Sequence, residues 1–162
     1  MAYTVLILDS DTHRTQQMME WLIPTRTYLI SVSNANDALK QAKAQSVDIV
    51  FVSSELPDAR LEDFLAQLLQ EAPIVQIIVM LSREEFFRGQ ELQQLQISGF
   101  ILTPFKQDEL LFRVFQLTEV LRLKRENQYL REELQFDDMR RRQGLPLERS
   151  PRGKRRRIRL WN

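Results

Sequence analysis

Residues 48–58 read DIVFVSSELPD. Four apolar residues, Ile49 to Val52, stop abruptly at Ser53 and Ser54, and Glu-Leu-Pro-Asp follows. A run this short and this apolar fits a strand buried on both faces of a parallel sheet. Outward in both directions the same kind of run recurs, at residues 3–8, 28–32, 74–81 and 100–102. Between the runs the period changes to helical, over about 12–22, 36–45, 60–71, 83–95 and a long stretch from 106. In 60–71, Leu61, Phe64, Leu65, Leu68 and Leu69 fall on one helical face. Asn36 and Ser82 precede helical stretches as candidate N-caps. Strict alternation of this kind predicts an α/β chain, (βα)5, with a doubly wound five-stranded parallel sheet and right-handed crossovers.

In such sheets the working groups stand just beyond the carboxyl ends of the strands. Here those positions hold Asp9, Ser10 and Asp11 after the first strand and Ser53, Ser54, Glu55 and Asp58 after the third. Ser82 follows the fourth strand, and Thr103-Pro104-Phe105 the fifth. The expected crevice contains carboxylates and hydroxyls but no His or Lys base. Composition excludes more. With no cysteine, disulfide scaffolds, thiolate zinc sites and Cys nucleophiles are impossible. The lone His13 cannot supply a His-rich metal site. The four glycines lie too far apart for either common phosphate-cradling loop, so no nucleotide cofactor is expected. No apolar run is long enough for a membrane span, and the N-terminus lacks a secretory pattern, which predicts a soluble, cytoplasmic protein.

VLILDSD, DIVFVSSELPD, IIVMLS and FILTPF resemble, in order and spacing, the first, third, fourth and fifth strands of the receiver domain of bacterial two-component response regulators. The resemblance covers about residues 3–121 and implies a flavodoxin-like fold and a place in phosphorelay signal transduction. It also assigns roles. Asp9, Ser10 and Asp11 take the place of the acidic cluster, Ser82 that of the switch hydroxyl, and Phe100 that of the switch aromatic. Pro104 takes the place of a proline that follows a cis peptide bond. Three positions depart from the pattern. The phosphoacceptor aspartate, four residues before the proline after the third strand, falls on Ser53. The usual lysine falls on Thr103, and the second acidic residue on Ser10.

A receiver moves a phosphoryl group from a phosphohistidine onto a carboxylate, with Mg²⁺ and the lysine neutralising the phosphoryl oxygens. Ser53 is neutral and has no base to activate it. Only Asp9 and Asp11 remain for a metal, vestigial at most. The expectation is a degenerate phosphoacceptor pocket, Asp9, Ser10, Asp11, Ser53, Ser82 and Thr103, with no catalytic residue, no cofactor and no metal. What is expected is a pseudo-receiver rather than an enzyme. Other readings stay open. Asp9 and Asp11 serve as helix caps, Ser53 and Ser54 are neutral fillers or phosphosites, or Asp58 or Glu55 takes the phosphoryl group. His13 is expected to be solvated, and Met18, Met19 and Trp21 to belong to the core.

From Gln107 to about Met139 neither proline nor glycine interrupts the chain. Leu110, Leu111, Val114, Phe115 and Leu117 are expected against the sheet. Beyond them Val120, Leu123, Asn127, Leu130 and Leu134 fit a and d positions of a heptad. Glu119, Glu126 and Glu133 fall at g, and Lys124 and Arg131 at e. This pattern predicts a parallel homodimer whose register Asn127 fixes; the competing reading is a single solvent-facing helix laced with i,i+4 pairs. Residues 110–135 also resemble the linker helix of enhancer-binding transcriptional activators, but no phosphate-binding loop follows, so the ATPase function is not carried over.

The net charge of +1 hides a split. Residues 1–139 carry 13 basic and 21 acidic side chains, net −8; residues 140–162 carry ten basic and one acidic, net +9. The expected organisation is a receiver-like domain over 1–121, a coiled-coil extension over 122–139 and a disordered basic tail over 140–162. The leading functional expectation is a phosphorylation-independent module for protein interaction and dimerisation, with a protein partner in a signalling pathway. The alternatives are a phosphorelay receiver phosphorylated in a non-standard way, or a transcription regulator that contacts nucleic acid non-specifically through Arg155, Arg156 and Arg157.

Overall fold

A computed structural model describes residues 2–146; Arg155, Arg156 and Arg157 lie outside the described residues. The chain divides into two compact units, residues 1–121 and 122–162. In the first, five strands form one all-parallel sheet: β1 (Thr4–Leu8), β2 (Tyr28–Val32), β3 (Ile49–Ser53), β4 (Gln76–Ser82) and β5 (Gly99–Thr103). The strand order is β2-β1-β3-β4-β5, the doubly wound α/β arrangement that the alternation predicted. Helices α1 (Thr12–Trp21), α2 (Ala35–Ala44), α3 (Leu61–Glu71) and α4 (Phe86–Leu92) connect the strands, and α5 runs Gln107–Arg142.

Strand period sorts the core into two layers. Leu6, Leu8, Val50, Val52, Ile77 and Val79 face Ala38 of α2 and Phe64, Leu65 and Leu68 of α3. The alternating set, Val5, Ile7, Ile49, Phe51, Ile78 and Met80, faces Met18 of α1 and Leu110, Val114, Leu117 and Leu121 of α5. Both sets are buried because both faces are covered, which explains why β1, β3 and β4 read as continuous apolar runs. Burying each such side chain stabilises the fold by about 1.5–3 kcal/mol. The edge strand β2 is only half covered, with Tyr28 and Ser31 exposed.

Several expectations need correction. Asn36 does not cap α2; Asn34 does, accepting from the Asp37 N–H at 2.8 Å. The predicted helix over 83–95 contracts to α4, preceded by the 3-10 turn Arg83–Glu85. Phe115 is exposed rather than packed on the sheet. Residues 110, 114, 117 and 121 keep one helical face, and Phe115 lies about 100° round from Val114. Met18 is fully buried, Met19 and Trp21 pack partly buried against the same layer, and His13 is exposed.

In the second unit, 122–142 is helical, so Arg140, Arg141 and Arg142, expected in a disordered tail, form the last turn instead. Arg140 lies over the Phe136 ring, 5.0 Å from its centroid, and Arg142 pairs with Asp138 at 3.0 Å. Cations at this end also favour the helix dipole. Gly144, at φ 70°, ends the helix: its N–H donates to the Arg141 carbonyl and the Leu145 N–H to the Arg140 carbonyl. That pair of bonds needs a left-handed residue, which glycine adopts without a steric cost. Among the described residues no helix is long and apolar enough to cross a membrane.

Candidate functional site

The carboxyl ends of β1, β3, β4 and β5 bring the predicted pocket residues to one rim of the sheet. Asp9 follows β1 and is buried at 3% exposure. Its carboxylate accepts from the Asp11 N–H at 3.0 Å and from the Nε and Nη2 of Arg14, the second at 3.3 Å. Asp11 caps α1, accepting from the Arg14 N–H at 3.0 Å. That backbone bond holds the Asp11 carboxyl below its ordinary value; slight burial opposes the effect and the Arg14 charge adds to it. The bond to Asp9 in turn raises the Arg14 guanidinium. Ser10 is exposed. One acidic residue is therefore a cap, and the other is the buried partner of an arginine.

Ser53 ends β3, buried, with its Oγ accepting from the Glu55 N–H at 3.4 Å. Ser54 is buried beside it and donates its hydroxyl to Glu85 at 2.9 Å. Ser82, at the end of β4, donates its hydroxyl to the same carboxylate at 3.0 Å and its N–H at 3.4 Å. Thr103 donates to the Leu81 carbonyl at 3.3 Å, and the Thr103-Pro104 bond is cis. A cavity of about 250 Å³ lies between α1 and the end of β5, lined by Arg14, Gln17, Thr103, Pro104 and Phe105. Phe100 is half-buried, edge-on to Phe86 with centroids 6.1 Å apart.

Two participants were not anticipated. Arg14 is one of them, since a spacing of five residues from Asp9 follows neither helix nor strand period. Glu85 is the second, although Ser82-x-x-Glu85 is a capping-box pattern visible in the sequence. Asp58 stands after β3, but its carboxylate accepts from the Ala35 and Asn36 N–H groups at 2.8 and 3.0 Å, capping α2 from outside.

The donors present do not fit a hard divalent cation. Mg²⁺ wants near-octahedral oxygen ligation with charged carboxylates. Asp9 is engaged by a guanidinium, Asp11 by a backbone N–H, and Ser53 carries no charge. Among the described residues no three His, Cys, Asp or Glu side chains converge on a metal position. Among the described residues, the Ser53 Oγ is met by the Glu55 N–H and by no basic side chain that would make it a nucleophile.

The family model of the response regulator receiver domain matches residues 5–115. No curated protein is significantly similar in sequence to this chain. Solved structures are similar in fold. The signal receiver domain of a putative LuxO repressor protein from Vibrio parahaemolyticus is 18% identical with a TM-score of 0.72, covering 76% of this chain and 95% of that one. The receiver domain of AraT, a response regulator from Geobacillus stearothermophilus, is 23% identical with a TM-score of 0.72, covering 77% and 99%. NtrX from Brucella abortus is 21% identical with a TM-score of 0.76; the match covers 83% of this chain but only 30% of NtrX.

Proposed function

Because the chain belongs to the response regulator receiver domain family, we propose that it signals without aspartate phosphorylation, as a receiver-type protein-interaction module rather than an enzyme. The observation that carries this reading is the pairing of buried Asp9 with half-buried Arg14, beside a buried, neutral Ser53. An acyl phosphate needs a carboxylate at the end of β3, and the chain has a hydroxyl there. The transfer needs cations over the phosphoryl oxygens. Thr103 supplies none, and the Arg14 charge is already matched by Asp9. A cytoplasmic setting is part of the reading. Incubation with acetyl phosphate and Mg²⁺ tests it: the chain should take up no phosphate. A stoichiometric, acid-stable, hydroxylamine-labile phosphate overturns it.

Self-association through the second unit belongs to the same proposal. Leu123, Leu130 and Leu134 are exposed on that helix, with Asn127 between them and Val120 half-covered. Arg122 pairs with Glu126 at 3.4 Å and Tyr129 donates to Glu133 at 3.0 Å, so these two glutamates at g already have partners within the helix. A dimer must exchange those weak contacts, worth about 0.2–0.5 kcal/mol each, for packed leucines. Light scattering should give twice 19.3 kDa, and Asn127→Leu should tighten the assembly or change its order. A monomer at high micromolar concentration sinks it. The nucleic-acid reading rests on the charge of the tail alone, and titration of duplex DNA at two salt concentrations decides it.

A further inference from the structure

The phosphorylation-independent reading leaves Glu85 without a task, yet no other side chain at the rim gathers as many donors. Its Oε1 accepts from the hydroxyls of Ser54 and Ser82, at 2.9 and 3.0 Å, and from the Ser82 N–H at 3.4 Å. Its Oε2 accepts from Arg88 at 3.2 Å, and the other end of that guanidinium reaches Glu62 of α3 at 3.2 Å. Two hydroxyls, an N–H and a guanidinium converging on one carboxylate are the donor set of a small-oxyanion seat. Ser54 is buried at 7% exposure, so without an acceptor there its hydroxyl is orphaned at a real cost. Partial burial pushes the Glu85 carboxyl up, but the bonds from Ser54, Ser82 and Arg88 outweigh it and hold it below its ordinary value.

The position of Glu85 matters as much as its charge. It is the residue on which α4 begins. The next residue, Phe86, sets its ring edge-on to Phe100. One turn on, the bare Cα of Gly89 lets the Phe100 ring come so close that a Cβ there would meet its Cε1 at 3.0 Å. Fixing Glu85 therefore fixes the register of α4 on Phe100. Phe86 and Phe87 stay exposed on that helix, at 47% and 80%.

We infer that Glu85 is a tethered anion filling an oxyanion seat built by Ser54, Ser82 and Arg88, so that the chain holds its own α4–β5 face in a single arrangement without a phosphoryl group. The inference rests on the phosphorylation-independent reading and adds the ligand that the switch hydroxyl engages.

The test uses the full chain with Glu85→Ala and Glu85→Gln. Amide exchange is followed over residues 82–92, and the ring resonances of Phe86 and Phe100 are recorded. In Glu85→Ala, exchange there should speed up by about tenfold or more, the effect of losing one charge-assisted hydrogen bond. Formate, which can enter the vacated seat, should restore protection; chloride at matched ionic strength should not. Glu85→Gln should sit between the two and resist rescue. Should Glu85→Ala fail to fold, Ser54→Ala and Arg88→Ala, which each remove one donor, should loosen the same amides in part. Native-like exchange in these variants, or formate acting no better than chloride, overturns the tether. Acetyl phosphate on the wild-type chain keeps the two ideas apart. Labelling there sinks the underlying reading whatever Glu85→Ala does. Refusal of phosphate with no formate rescue sinks the tether alone.

Discussion

Arg14→Ala removes the cation that stands over Asp9. The Asp9 side chain is 1% exposed, and that of Arg14 is 31% exposed. Breaking a fully buried pair from one side costs about 3–5 kcal/mol, because a charge is left uncompensated. Three features lower the figure here. Asp9 keeps the Asp11 N–H. The outer side of Arg14 meets water, where the effective permittivity is nearer 20 than 4. Water can also enter from the cavity lined by Thr103 and Phe105. Alanine regains a few tenths of a kcal/mol as a helix former, and the Asp11 cap survives because it uses the backbone of residue 14. The expected loss is about 2 kcal/mol, an urea midpoint lower by about 1–2 M. Urea unfolding followed by circular dichroism and by tryptophan fluorescence reads it, and coincident curves license the two-state treatment. Asp9→Asn combined with Arg14→Ala should be more stable than Arg14→Ala alone, since the orphaned charge is gone. A loss below about 0.5 kcal/mol in Arg14→Ala, or simple additivity of the two changes, refutes the pairing argument.

Asp58 carries a prediction about acid. The Ala35 N–H is the main influence holding its carboxyl below the ordinary 3.8; slight burial opposes it and the Asn36 N–H assists. A carboxyl depressed in the folded state stabilises above its unfolded value and loses that contribution as pH falls through the folded one. Thermal midpoints should therefore drop below about pH 4, and Asp58→Asn should drop less steeply; parallel curves count against the cap. Gly89→Ala should destabilise by about 1 kcal/mol and shift the Phe100 ring resonances, because overpacking outweighs helix propensity. A gain of about 1 kcal/mol, as at an open helical site, contradicts the close contact.

Much of the site was legible because strand positions are countable. Ser53, Ser82 and Thr103 end three adjacent strands in register, Ser53 opposite Met80 and Ser82 opposite Thr103. Counting from Pro57 thus placed Ser53 at the rim without coordinates. The departures from the receiver pattern were visible for the same reason, since each is a residue identity at a countable position. The cap of α2 was misplaced because Asn34 and Asn36 are equally suited by type. The choice falls to Asn34 because Asp58, 23 residues beyond Ala35 in sequence, already takes the N–H groups of Ala35 and Asn36. The contraction of α4 has a similar origin. Its sequence continues a helical period, but Glu85 turns toward Ser54 and holds the preceding turn in a 3-10 form.

Residue order alone encodes the set of elements and their buried faces, together with the absence of an aspartate, a lysine and a full acidic cluster where receivers carry them. Periodicity and position encode these directly. The folded chain alone settles which charged group meets which partner: Arg14 on Asp9, Glu85 on the hydroxyls of Ser54 and Ser82, Asp58 on the start of α2. The Glu85–Ser54 and Asp58–α2 contacts join different loops, and their meeting follows from the strand order β2-β1-β3-β4-β5. That order sets the ends of β3 and β4 side by side although about 30 residues separate them in the chain.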